Sequence, residues 1–225
     1  MIRVVVFDGY GTLFDVDAAA RRLAAEPGRE GFAAVAALVS RDWRYKQLQY
    51  SWIRTIAGAH ADFWTCTEDA LDWALEAVGV GGAGLRARLL ALYAELDAYP
   101  EVPATLAAIK ARGLGTAILS NGSPAMLDGA VRSAGIGGLL DAVLSVEAVG
   151  VFKPARAVYD MVGGRFGTAA DEVLFVSSNG WDAAAAAGYG FEAVWANRVG
   201  VPVDRLPWRP RHILPDLTRI PELLP

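Results

Sequence analysis

The sequence predicts an α/β fold, a parallel sheet flanked by helices with a helical cap inserted after the first strand, and three observations carry that prediction. Near the start, Val4-Val5-Val6-Phe7 is an unbroken β-branched and aromatic run that stops at Asp8, the pattern of a strand buried on both faces of a parallel sheet. From Asp15 to about Tyr99 the pattern is helical throughout. From Pro103 onward helix and strand alternate.

The chain has 225 residues, enough for one domain with a sizeable insertion or for two small ones. A hydrophobic fraction of 54% with 20% charged residues excludes a disordered chain, and a net charge of -4 without a Lys/Arg stripe leaves no electrostatic case for nucleic acid or an anionic membrane. A small anion held by one or two placed cations stays compatible with this balance. The single Cys66 excludes an intrachain disulfide framework. The opening Met-Ile-Arg-Val-Val-Val-Phe-Asp breaks its apolar run too early for a signal peptide, and no stretch is long enough to span a bilayer, so a cytoplasmic location is expected.

The elements follow in order. After the first strand, Asp17 to Glu26 reads as a short helix closed by Pro27-Gly28, and a second helix runs from about Glu30 through Arg54 with Tyr45, Leu48, Trp52 and Ile56 at helical spacing. Thr67-Glu68-Asp69 is expected to cap a third helix, and Leu85 to Leu96 forms a fourth. Between them Gly79 to Gly84 matches G-x-G-x-x-G, but it follows a helix and not the first strand, so it is an inter-helix loop. Helix Pro103 to Arg112, strand Thr116 to Leu119, a helix from Pro124 to near Gly135 and strand Ala142 to Ser145 come next. Pro154 is expected in the first turn of a helix through Val162, followed by strand Val173 to Val176, an Ala-rich helix and strand Glu192 to Ala196. Beyond Pro202 the prolines suggest a wrapping tail with a closing helix, Leu217 to Leu224. The organisation is thus a Rossmann-like α/β core, 1–15 and 99–225, with a helical cap, 16–98, and a site between the two.

Strands of such a core end in polar clusters: Asp8, then Ser120 with Asn121, Lys153 in its loop, and Ser177 through Asp182. In a parallel sheet these ends share one edge, so the clusters converge on one crevice. Each alone also reads as a turn or a cap, Asp8 included; their coincidence argues for a site.

The string Asp8-Gly9-Tyr10-Gly11-Thr12-Leu13-Phe14-Asp15 resembles the nucleophile motif of the haloacid dehalogenase superfamily. Phosphatases of that superfamily carry a second Asp two residues on; Tyr10 at that place is similar to the L-2-haloacid dehalogenases. The stretch Trp43-Arg44-Tyr45-Lys46-Gln47-Leu48-Gln49-Tyr50 resembles that family's cap helix, and the loops at Ser120-Asn121, Lys153 and Ser177–Asp182 resemble its remaining motifs. The resemblance runs from Val4 to about Arg198. It implies Asp8 as nucleophile with Thr12 beside it, Arg44 and Asn121 as halide receivers, and Ser120 on the substrate carboxylate. It further implies Lys153 with Tyr159 close after it in substrate binding, Ser177, Asn179 and Asp182 in a polar network around Lys153 and the water, and Tyr10, Leu48, Phe63 and Trp181 as apolar wall. Gly9 and Tyr45 depart from the pattern at wall positions. No chemistry falls to His60 or His212.

Elementary chemistry agrees with these roles. A desolvated Asp kept ionised by Lys153 is a better nucleophile, and a departing halide is stabilised by the guanidinium, amide and indole edge of Arg44, Asn121 and Trp181. Asp182 in contact with Lys153 is the candidate base for water. Ser178 stands where magnesium-dependent relatives carry an acid, so no metal or other cofactor is expected. The expected reaction converts short (S)-2-haloalkanoic acids to (R)-2-hydroxy acids. A small-molecule phosphatase, or a non-catalytic carboxylate-binding relative, are the alternatives. Surface-capable aromatics Trp52, Phe63, Trp64 and Trp73 suggest a homodimer.

Overall fold

The computed structural model describes residues 1–225 apart from the side chain of Ala83. Six parallel strands form one sheet in the order β3-β2-β1-β4-β5-β6: β1 Val4–Phe7, β2 Gly115–Ser120, β3 Ala142–Ser145, β4 Val173–Ser177, β5 Glu192–Ala196 and β6 His212–Leu214. Every residue of β1 is buried, as a strand with helices on both faces must be. Its register sets Val4 against both Gly115 and Val173, and the ladder continues one residue further, where the Asp8 N–H bonds the Val176 carbonyl at 2.9 Å. The chain runs outward from β1 in both directions. That reversal opens a crevice beyond the carboxyl ends of β1, β2 and β4, with Asp8 at its floor.

Six helices lie between β1 and β2 in the chain, and the first five form the inserted block: α1 Ala18–Ala24, α2 Glu30–Ala33, α3 Ala36–Ala57, α4 Phe63–Ala77 and α5 Ala83–Ala94. The chain leaves and returns as an adjacent pair of segments, in which the Tyr99 N–H bonds the Leu13 carbonyl and the Asp15 N–H bonds the Asp97 carbonyl, each at 3.0 Å. The helices pack through α3 on α4, where the Trp43 indole donates to the Thr67 carbonyl at 2.8 Å and the Gln47 amide to the Thr67 hydroxyl at 2.7 Å. Helices α6 Val102–Ala111, α7 Pro124–Ser133, α8 Arg156–Phe166 and α9 Gly180–Tyr189 cover the sheet. Among the described residues, no helix is long and apolar enough to cross a membrane.

Several expected elements differ in detail. The helix expected over Glu30 to Arg54 is broken at Val35, whose φ of −118° ends one turn and starts α3; Phe32 and Val39 both enter the core across that break. Helix α4 starts a turn earlier than Thr67, because Asp62 in extended conformation accepts the Thr65 N–H at 2.8 Å. Thr67 instead lies inside the helix, its hydroxyl bonded back to the Phe63 carbonyl and to Gln47. Pro154 precedes α8, whose N-cap is Ala155. In the tail, β6 pairs with β5 at the sheet edge, and its flanking Pro210 and Pro215 hid so short a strand. The closing segment is a 3₁₀ turn, Ile220–Leu223, and not a full helix.

Candidate active site

The crevice narrows to a cavity of about 10 Å³, the space of roughly one water molecule. It is lined by Asp8, Tyr10, Arg44, Leu48, Phe63, Ser120, Asn121, Lys153, Asn179 and Trp181. The strand ends and α3 therefore meet where the sequence brings them. Thr12, Ser177, Tyr159 and Asp182 lie behind this lining, fully buried.

Asp8 uses both carboxylate oxygens. Oδ1 accepts from Lys153 Nζ at 2.7 Å; Oδ2 accepts from the Asn179 amide at 2.9 Å and the Thr12 hydroxyl at 3.0 Å. Lys153 in turn spends all three donors, on Asp8, on Asp182 Oδ2 at 2.6 Å and on the Leu119 carbonyl at 3.1 Å. Asp182 completes its own pairing by accepting from the Tyr159 hydroxyl at 2.7 Å. This is a buried line of acid, ammonium, acid and phenol. Burial opposes the charge on Lys153, but the two carboxylates outweigh it and hold the pKa above that of an ordinary amine. Burial pushes Asp182 above the usual carboxylate range, with the Asp8 charge adding to the rise, although Lys153 and Tyr159 pull it down. Burial likewise pushes the Tyr10 hydroxyl up, so it stays neutral.

Arg44 reaches down from α3. Its Nη1 donates to Gln47 Oε1 at 2.8 Å and its Nη2 to the Tyr10 carbonyl at 3.1 Å and Asn179 Oδ1 at 3.3 Å. Asn121 turns its carbonyl to the Lys153 backbone N–H at 2.9 Å, which leaves its NH₂ for the cavity. Ser120 Oγ accepts the Gly122 N–H at 3.1 Å and keeps its own proton to donate. Gly122 is obligatory in this turn: a Cβ there would stand 2.7 Å from the Tyr10 ring. Trp181 stands edge-on to Trp52 of α3, ring centroids 5.3 Å apart, closing one wall.

Three placements correct the sequence reading. Tyr159, expected to bind substrate, does not line the cavity; it sits in the first turn of α8 and donates its hydroxyl to Asp182 from behind. Ser177 touches neither Lys153 nor the cavity, and its hydroxyl accepts the Asn179 N–H at 3.1 Å. Tyr45 is exposed to solvent, one residue and so about 100° around the helix from Arg44, and cannot shape the pocket wall. Gly9 borders Ser120, since a Cβ on it would stand 3.2 Å from Ser120 Oγ. Of the aromatics read as surface-capable, Phe63 is buried in the cavity wall, Trp52 packs on Trp181 and Trp64 on the core. Trp73 is exposed, with Lys46 Nζ 4.2 Å above its ring.

Sequence reasoning gave no contact within the site to Gln47 or Ser178, and none at all to His60. Gln47 holds Arg44 from the i+3 position, a spacing that could have flagged it. Ser178 donates its backbone N–H to the Thr12 hydroxyl at 2.7 Å, which no sequence signal announces. His60 is not isolated: its Nε2 lies 2.9 Å from Glu147, joining the α3–α4 loop to the sheet side.

Residues 2–190 match the haloacid dehalogenase-like hydrolase family. The chain is 44% identical over 99% of its length to (S)-2-haloacid dehalogenase 1 of Pseudomonas sp. strain CBS-3, covering 96% of that protein. Among solved structures, a dehalogenase at 40% identity superposes with a TM-score of 0.94, covering 99% of this chain and 97% of that one. An L-2-haloacid dehalogenase from Xanthobacter autotrophicus, solved with chloropropionic acid covalently bound, is 36% identical with a TM-score of 0.84 over 99% of this chain and 98% of that one. A parallel sheet with its acid at the reversal point, and likeness along the whole chain, lead to one conclusion: this chain belongs to the haloacid dehalogenase-like hydrolases.

Proposed function

We propose that this protein hydrolyses short (S)-2-haloalkanoic acids to (R)-2-hydroxy acids through an ester on Asp8, without a metal. The observation that carries the reading is the Asp8 carboxylate fixed by Lys153, Thr12 and Asn179 in a cavity that also presents Arg44, with Tyr10 where a phosphatase would need its second acid. Ser120, whose hydroxyl proton is free to donate, receives the substrate carboxylate. Asp8 attacks C2 from the side opposite the halogen, and the halide leaves toward Arg44, the Asn121 amide and the Trp181 indole edge, where its growing charge is stabilised more than the ground state is.

Once Asp8 is esterified its charge is gone, and Lys153 is left with Asp182 as its only counter-charge. A water that takes the vacated place on the ammonium then lies beside Asp182, which accepts its proton while the oxygen attacks the ester carbonyl of Asp8. Thr12, Tyr159 and Ser177 hold Asp8, Asp182 and Asn179 in place. Residues 16–98 are proposed as a cap domain over a core of 1–15 and 99–225. The protein is proposed to act in the cytoplasm as a homodimer, supported by exposed Leu38, Tyr45 and Ile53 on one face of α3.

Halide release from (S)-2-chloropropionate, followed with and without exhaustive EDTA treatment, tests the reading. Release in both samples is expected. Both site carboxylates are already bonded to an ammonium, Ser178 offers only a hydroxyl, and the described residues hold no cluster of three potential His, Cys, Asp or Glu ligands. Activity lost with EDTA and restored by magnesium, or turnover of a phosphate ester in place of the haloacid, would overturn it.

The pH profile supplies a second test. Asp182 must be ionised to take the proton from water, and its pKa is raised, so kcat should fall on acidification at a pH above the ordinary carboxylate value of about 3.9. The Tyr159 hydroxyl bond favours the ionised form. Tyr159→Phe should therefore move the acid limb further up, and a limb that moves down contradicts the assignment of the base.

A further inference from the structure

We infer that Arg198 is a positioning residue for the nucleophile: it clamps the two chain segments that join the sheet to helices α1–α5 and thereby holds Thr12 against Asp8. The inference rests on the proposed dehalogenase reading for its kinetic consequence, and on geometry alone for the clamp.

Arg198 follows β5, beyond the same sheet edge as the site but outside the cavity lining. Its Nη2 donates to the Thr12 carbonyl at 2.8 Å, on the segment leaving the sheet. The same guanidinium lies 2.7 Å from Glu101 and 3.7 Å above the Tyr99 ring, both on the returning segment. Arg198 and Glu101 side chains are each only 15% exposed, so the pair is little screened by solvent. One planar cation thus bridges the outgoing and returning chains at the place where Tyr99 and Leu13 already bond to each other.

What it holds is a relay to the reacting carboxylate. The Thr12 hydroxyl takes the Ser178 N–H at 2.7 Å and donates to Asp8 Oδ2 at 3.0 Å, so the Thr12 backbone, fixed by Arg198, sets the position of that oxygen. Displacement at a carbon centre is sensitive to that position, since a misplacement of about 1 Å costs on the order of 100-fold in rate. The Arg198 Nε is buried without an acceptor among the described residues. Burying an unpaired donor is unfavourable, so what holds this side chain is its Nη2, hydrogen-bonded to the Thr12 carbonyl and ion-paired with Glu101 Oε1, which is itself without a hydrogen bond, and its guanidinium face on Tyr99.

The test compares Arg198→Ala, Arg198→Lys, Thr12→Val and the double variant Arg198→Ala/Thr12→Val with the unaltered chain. Expected for Arg198→Ala is a kcat on (S)-2-chloropropionate lower by about 10- to 100-fold, with KM changed by less than about twofold, because Arg44, Ser120 and Asn121 are untouched. Arg198→Lys recovers part of kcat by keeping the charge. The double variant loses little more than the worse single one, as two residues acting through one contact should. Hydrogen exchange should quicken in peptides 9–15 and 97–102 of Arg198→Ala and stay unchanged in α7. A brace with no part in positioning would leave kcat per folded molecule intact and give additive losses, which overturns the proposal. If the unaltered chain releases no halide, the dehalogenase reading fails separately, and unchanged exchange at the two segments refutes the clamp by itself.

Discussion

Asp8→Asn is expected to lower turnover by on the order of 10⁴-fold or more, since an amide oxygen is a poor nucleophile and no other carboxylate lines the cavity. Because Gly9 follows, the amide can revert slowly by deamidation, so Asp8→Ala is the matched control and should stay inactive on storage. The same residue makes a sharper prediction about oxygen. If Asp8 attacks C2, the first hydroxyl oxygen delivered to product is the enzyme's own. In heavy-oxygen water with enzyme in excess over substrate, the hydroxy acid should come out unlabelled and the peptide holding Asp8 should carry the label. Water acting directly on C2 from Asp182 would give labelled acid and unlabelled protein. Against that alternative, Asp8 lines the cavity and Asp182 does not, so Asp8 is the carboxylate within reach of C2.

Lys153→Met should damage both rate and stability. It leaves Asp8 and Asp182 buried with no counter-charge, and breaking a buried pair from one side costs about 3–5 kcal/mol. For a chain of this size that corresponds to a Tm lower by roughly 6–20 °C. The sign of the pH dependence follows. Burial already raises the Asp182 pKa and the ammonium pulls it down, so without Lys153 its folded-state value lies further above the unfolded one, and the stability it contributes is fully present below about pH 4 and lost as pH rises. The variant's deficit should be larger at pH 8 than at pH 5, and equal deficits at the two pH values would refute this account. In the unaltered protein Lys153 works in the opposite range. Its raised pKa stabilises the fold below the ordinary amine value and loses that effect only as strongly alkaline pH passes the folded-state pKa. Ester formation in the variant should slow by on the order of 10²–10³-fold at neutral pH, because Asp8 loses the ammonium that fixes its Oδ1 and so its attack geometry. Thermal melts at the two pH values and single-turnover halide release check the two effects separately.

How much of this was legible beforehand varies by element. The first strand was written plainly, because a strand buried on both faces has no polar position to disguise it, and Asp8 at its end needed only the sheet's direction to be placed in a crevice. Strands Ala142–Ser145 and Glu192–Ala196 were likewise readable to the residue, as short apolar runs between turn signals. The start of α4 was not. Thr67 carries the local signature of a cap, but its hydroxyl is engaged with Gln47 across the α3–α4 contact, and the cap falls to Asp62. Strand β6 is only as stable as its pairing with β5, so nothing in three residues between prolines predicts it.

For the site the division is similar. Strand ends in the sequence brought Asp8, Asn121, Lys153 and Asp182 to one edge, and the resemblance of the motifs, which spacing alone did not supply, implied the roles of these residues and of Arg44. Only the tertiary structure decided their order in space: that Lys153 stands between Asp8 and Asp182, that Tyr159 supports the second acid from behind the cavity, and that Arg198 reaches Thr12 from 186 residues away. A hydrogen bond across such a separation depends on sheet order, strand register and the return of the helical segment together. No local stretch of sequence encodes that sum, which exists only once the whole sheet has closed.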